Sequence, residues 1–165
     1  MAAAKATLDA FIRVYDGMLN AVALEDAETV IRHHAFDAAD LIDVTGPSPV
    51  QATLKRLEFG THRALWDVAQ RYALEFPSFA PVAHEGIRLL RNKTVAKQPD
   101  GANRSLAVVL GLNDDYEGGQ IAFFDGTTRL RVGRGQALVF PSTYLYPHQD
   151  EAVTRGTRYS LVSWF

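Results

Sequence analysis

The chain has 165 residues, 47% of them hydrophobic and 22% charged, which suits one globular domain with a sizeable core and excludes a disordered or fibrous chain. Seventeen basic residues against nineteen acidic ones leave a net charge of −2, so nothing draws the chain as a whole to nucleic acid or to an anionic membrane. There is no cysteine, which excludes disulfides, thiolate zinc sites and cysteine nucleophiles and fits a reducing cytoplasm.

The opening MAAAKATLDAFIRVYDG lacks the continuous apolar stretch of a secretory signal. Nor does any later run approach the roughly 20 apolar residues that cross a bilayer. A cytoplasmic location is therefore expected. Residues 11–15 (FIRVY) read as a short strand and 24–35 as a helix, with Asp26 as its cap and Val30 and Ile31 on its apolar face. Gly46, Pro47 and Pro49 break the pattern and predict a loop over 43–50. Leu65, Val68, Ala69, Tyr72 and Phe76 recur at helical spacing, which predicts a second helix over 61–76 that stops at Pro77.

Past His84 the periodicity becomes that of strands. They are predicted at 86–91, 105–112, 120–124, 127–132, 136–140 and 158–165, and the run 105–112 is apolar enough to be buried on both faces. Asp125-Gly126 between two of them signals a hairpin. Helices followed by six or more short strands imply an α+β fold, and a closed or sandwiched β unit hides the many edges. The expected organisation is one domain, with 1–84 as mainly helical support and 85–165 as the β core.

Several local patterns carry no chemistry. Gly133-Arg134-Gly135 has no strand–turn–helix context for a phosphate. Asn113-Asp114-Asp115 lacks calcium-loop spacing. No nucleophile elbow appears. His33, His34, His62 and His84 read as surface or packing histidines, and Arg129, Arg131 and Arg134 as a solvated strand face.

The informative part is the last third. RSLAVVLGLNDDYEGGQIAFFDG, then GQALVFPS, then His148, then GTRYSLVSWF follow in that order. These pieces resemble the core of the iron(II)/2-oxoglutarate-dependent oxygenases, in the prolyl-4-hydroxylase-like branch; where that family opens its site with a His-x-Asp pair, this chain reads Gln98-Pro99-Asp100. The resemblance is specific from Ala102 to Phe165 and general before that. It implies a double-stranded β-helix, or jelly roll, with the N-terminal helices packed on one sheet. It also implies iron(II) and 2-oxoglutarate as cofactors, and oxidation of a C–H bond of a small molecule or exposed side chain.

By that resemblance His148 is the distal metal ligand and Asp100 the carboxylate ligand. Arg158, ten positions after His148, clamps the far carboxylate of 2-oxoglutarate, a task that suits a guanidinium because it pairs with carboxylates bidentately. The family places a histidine where this chain has Gln98, whose amide oxygen is a weaker iron(II) ligand than imidazole. It also often carries a tyrosine on the preceding strand, where this chain reads Ile87-Arg88-Leu89-Leu90-Arg91-Asn92.

Other readings stay open at these positions. Asp100 could begin a turn through Asn103. His148 could be a histidine without metal, and Arg158 an internal salt-bridge partner. His148-Gln149-Asp150 is itself a His-x-Asp pair that would place two ligands on one strand face. An iron-less family member would use the same pocket for acid–base chemistry, as a lyase, isomerase or cyclase, or for ligand binding alone.

Overall fold

The computed structural model describes residues 7–37, 41–92 and 103–165. After a 3₁₀ turn at Leu8–Phe11 come strand β1 (Arg13–Tyr15), helix α1 (Ala21–His33), strand β2 (Leu41–Asp43) and helix α2 (Gln51–Glu75). Nine strands follow: β3 (Arg88–Asn92), β4 (Leu106–Gly111), β5 (Glu117–Gly118), β6 (Ile121–Phe123), β7 (Thr128–Leu130), β8 (Ala137–Pro141), β9 (His148–Asp150), β10 (Val153–Arg155) and β11 (Arg158–Trp164). No helix among the described residues is long and apolar enough to cross a membrane.

The strands form a six-stranded sheet in the order β1-β8-β4-β11-β3-β2, a three-stranded sheet β7-β6-β9 and a β5-β10 ribbon. All pairings are antiparallel. Strand alternation divides the large sheet into two faces. Leu89, Leu106, Val108, Leu110, Ala137, Val139 and Leu161 point to one face, and there they join Leu54, Leu57, Leu65 and Val68 of α2 in one core. Leu90, Ala107, Leu138, Phe140, Val162 and Trp164 point to the other, where they meet Ile121 and Phe123 of the small sheet. This is the expected jelly roll with helices on one sheet.

Both helices differ in detail from the sequence reading. α1 begins earlier, because Asn20 is its cap and accepts the Ala23 backbone N–H at 2.9 Å. Asp26 instead lies inside the helix, buried, with its carboxylate held by Arg56 of α2 at 2.6 Å. α2 starts ten residues before 61. Its buried positions Leu54, Leu57, Thr61, Ala64, Leu65, Val68, Ala69 and Tyr72 run on at one helical spacing through Gly60. A Cβ at Gly60 would stand 3.4 Å from the Ala23 side chain, so this glycine lets α1 and α2 approach closely. The expected loop over 43–50 shrinks to 44–50, and β2 and β1 attach the N-terminal half to the two edges of the large sheet.

The Asp125-Gly126 hairpin is present. Thr127 N–H donates to Phe124 C=O, and both central residues have positive φ, at 54° and 83°. That geometry matches the right-handed strand twist and favours Asp-Gly.

Candidate functional site

The site lies between the two sheets. On β9, His148 and Asp150 are opposite Phe123 and Ile121 of β6, and at i and i+2 they share the inward face. On β11, Arg158 and Ser160 share the inward face with Val162 and Trp164. His148 and Arg158 therefore sit on different sheets and face one another across the interior. They line one narrow cavity of about 30 Å³ with Asp150, Ser160 and a wall of Leu90, Ala107, Ile121 and Phe140.

His148 is held at one ring nitrogen. Its Nδ1 lies 2.9 Å from the Tyr146 backbone oxygen. A carbonyl can only accept, so Nδ1 carries a proton, and in the neutral ring Nε2 is then the nitrogen with the lone pair, the tautomer of a metal-ligating imidazole. Aromatic rings of Phe140 and Phe123 flank the imidazole.

Arg158 is buried, with 4% of its surface exposed. Its Nη2 donates to Asp150 Oδ1 at 2.6 Å, and Nη1 to the Gly119 carbonyl. Gly118 and Gly119 both hold positive φ, at 72° and 63°, which turns that carbonyl toward the guanidinium. Asn92, directly opposite Arg158 in the β3–β11 ladder, reaches Asp150 Oδ2 with its Nδ2 at 3.4 Å. Arg158 Nε, Ser160 Oγ and Asn92 Oδ1 are buried without a partner among the described residues. Unpaired buried polar atoms are rare in folded proteins, so the two that belong to residues lining the cavity, Arg158 Nε and Ser160 Oγ, suit it to a polar ligand.

Of the residues singled out in the sequence, the structure brings His148 and Arg158 together. Asp150, weighed only as part of a His-x-Asp pair, joins them as the salt-bridge partner of Arg158. Gln98 and Asp100 lie outside the described residues. Among the described residues no three His, Asp or Glu side chains converge into a metal-binding group. Asn92 and Ser160 were not anticipated. Ser160 was signalled by its i+2 spacing from Arg158, whereas Asn92 depends on strand register that no local pattern shows.

The remaining histidines lie elsewhere. His62 of α2 and His84 hydrogen-bond each other at 2.7 Å in a surface cleft with Lys55 and Phe59. His33 ends α1. A wider cleft, about 550 Å³, runs between α1 and α2 and is lined by none of the expected site residues.

The residues fit 2-oxoglutarate in kind: a buried guanidinium and a buried hydroxyl, each with unmet hydrogen-bonding capacity, suit a carboxylate. Toward iron the described residues supply one imidazole in the ligating tautomer.

Comparison with known proteins gives the family and the fold. The family described as the 2OG-Fe(II) oxygenase superfamily matches residues 79–165. A PKHD-type hydroxylase of Idiomarina loihiensis is 35% identical over 69 residues, which is 39% of this chain and 31% of the relative. A PKHD-type hydroxylase of Polaromonas sp. is 40% identical over 62 residues, 36% of this chain and 26% of the relative. The chain thus spans under a third of the length of these relatives. Among solved structures, a viral collagen prolyl hydroxylase from Paramecium Bursaria Chlorella virus-1 superposes with a TM-score of 0.71 at 12% identity, over 99% of this chain and 94% of that one. A Pseudomonas putida prolyl-4-hydroxylase gives 0.64 at 19% identity, over 94% and 91%. At these identities the structural likeness shows the fold.

Proposed function

Because the chain belongs to the 2OG-Fe(II) oxygenase superfamily, we propose that it is an iron(II)- and 2-oxoglutarate-dependent hydroxylase of a small molecule or an exposed side chain. The observation that carries this reading is the pair His148 and Arg158, which face one cavity from two sheets.

In this reading His148 holds iron(II) through Nε2, with Asp100 and Gln98 as the other protein ligands. When bound, iron(II) couples dioxygen to the decarboxylation of 2-oxoglutarate and the oxidation of a C–H bond. The chain's own residues bind and orient. Tyr146 C=O fixes the His148 tautomer. Arg158 Nε and Ser160 Oγ receive the far carboxylate of the co-substrate. Phe123, Phe140, Leu90, Ile121 and Val162 keep water from the interior, which strengthens each charge interaction there.

Anaerobic titration with iron(II) and 2-oxoglutarate tests the reading by its visible charge-transfer band. The expected result is a saturable band that His148→Ala abolishes and Arg158→Ala weakens. Absence of both the band and iron uptake from the wild type would overturn it. The ion pair between Arg158 and Asp150 favours one second reading, an iron-less family member that uses this pocket for acid–base chemistry or binding. Tight small-molecule binding that ignores chelators would support that instead.

A further inference from the structure

We propose that Asp150 is an internal occupant of the carboxylate position at Arg158, and that it sets the affinity of the pocket for 2-oxoglutarate. The inference rests on the oxygenase reading above and concerns a residue to which that reading gives no role.

Three observations carry it. The first is the pairing itself. Among the described residues two of the three guanidinium nitrogens are engaged, Nη2 by Asp150 and Nη1 by Gly119, and Nε lacks a partner. Bidentate capture of an incoming carboxylate needs two adjacent N–H groups on one edge of the guanidinium. The edge formed by Nε and Nη2 is already half occupied by a carboxylate that the protein supplies.

The second is burial. The side chains of Arg158 and Asp150 are only 5% and 13% exposed. Little water screens the pair, so a second carboxylate brought beside Asp150 meets a like charge at low dielectric. The co-substrate is a dianion, and it gains the guanidinium fully only when Asp150 lets go.

The third is space. The cavity of about 30 Å³ is room for about one water molecule, far less than a keto diacid requires. Asp150 is one of the residues that fill it. Its departure would vacate volume and free the guanidinium in one movement. Asn92, which reaches Asp150 with Nδ2 and leaves Oδ1 unpaired, stands beside the same carboxylate.

The pocket is therefore self-neutralised. A ligand must displace a carboxylate with a carboxylate, so the net gain in pairing is small and affinity depends on the strength of the Asp150 contact. Asp150 is in this sense an affinity- and specificity-determining residue, because it penalises every anion that cannot replace the ion pair it breaks.

The test is anaerobic calorimetric titration of the full chain with 2-oxoglutarate in the presence of iron(II), for the wild type, Asp150→Asn, Asp150→Ala and Arg158→Ala. The expected result is binding at least about tenfold tighter in both Asp150 variants and weakened in Arg158→Ala, since removing one like charge of this kind is worth on the order of a decade in affinity. Equal or weaker binding in Asp150→Asn, with iron(II) uptake intact, overturns this inference and leaves the oxygenase reading standing. Loss of iron(II) uptake and of 2-oxoglutarate binding in every protein overturns both.

Thermal melts identify any variant that fails to fold, and a kinetic measurement on the wild type then decides. If the ion pair must open first, the observed rate of 2-oxoglutarate binding levels off with rising concentration. A rate that climbs linearly throughout overturns the inference.

Discussion

The imidazole of His148 meets the ring of Phe140 edge-on, with centroids 4.7 Å apart, and Phe123 packs against both rings. The histidine is thus steered by two phenylalanines as well as by the Tyr146 carbonyl. Phe140 is 2% exposed, so Phe140→Ala leaves a cavity at the centre of the barrel. The expected cost is about 3–5 kcal/mol of stability, measured by urea unfolding. If His148 holds iron(II) as proposed, the same variant should also weaken iron(II) binding, because the ring that confines His148 is gone. A variant that unfolds at the wild-type urea midpoint would show that the interior has collapsed around the loss.

Gly111 ends β4 opposite Ser160 of β11. A Cβ there would stand 2.1 Å from the backbone oxygen of Gly133, which belongs to a segment pinned by hydrogen bonds. A main-chain atom in such a segment has little freedom to yield. Gly111→Ala is expected to cost about 3 kcal/mol or more, at the upper end of overpacking effects. Calorimetric melting checks this, and a shift of only a degree or two would mean that the loop after β7 moves aside.

Stability should fall at both ends of the pH scale for separate reasons. Hydrogen bonds from Arg13 and then Tyr15 hold the Glu75 carboxyl below its usual range. Arg104 does the same for Glu85, and the Thr45 side chain and backbone for Asp43. A lowered folded pKa adds stability that is present above the unfolded value, about 4, and is lost as pH drops through the folded value. Burial pushes the Tyr72 hydroxyl up to about 12, while its O–H donates to the Phe11 carbonyl. A raised folded pKa adds stability that is complete below the unfolded value, about 10, and lost as pH rises beyond it. Urea midpoints should therefore decline below about pH 5 and above about pH 10. Glu75→Gln should flatten the acid limb and Tyr72→Phe the alkaline one. Limbs left unchanged by these substitutions would assign the loss to other groups.

The large elements were legible because their signals are local. β4 shows as an unbroken apolar run and the β6–β7 hairpin as Asp-Gly. The first ten residues of α2 were not legible, since exposed Phe59 and the mid-helix Gly60 interrupt the pattern and the reason for the glycine sits on α1. β9 and β10 have three residues each, too few to display alternation. Asp26 and Asn20 look alike as caps, and what separates them is Arg56, thirty residues away. In the site, the family pattern singled out His148 and Arg158, and the structure sets both at one cavity. The contact of Arg158 with Asp150 was not, because it joins two sheets whose facing is a property of the closed barrel.

That contact joins unequal partners. Arg158 stands on a seven-residue strand hydrogen-bonded to β3 on one side and β4 on the other. Asp150 stands on a three-residue strand that, among the described residues, pairs only with β6. Amide protons of β11 should exchange with solvent only when the whole molecule opens, and those of β9 through smaller local excursions. The guanidinium is thus an anchored post and the carboxylate a hinged latch. On the proposal above, a carboxylate ligand that takes the guanidinium does so by shifting the partner on the small sheet, not the one on β11.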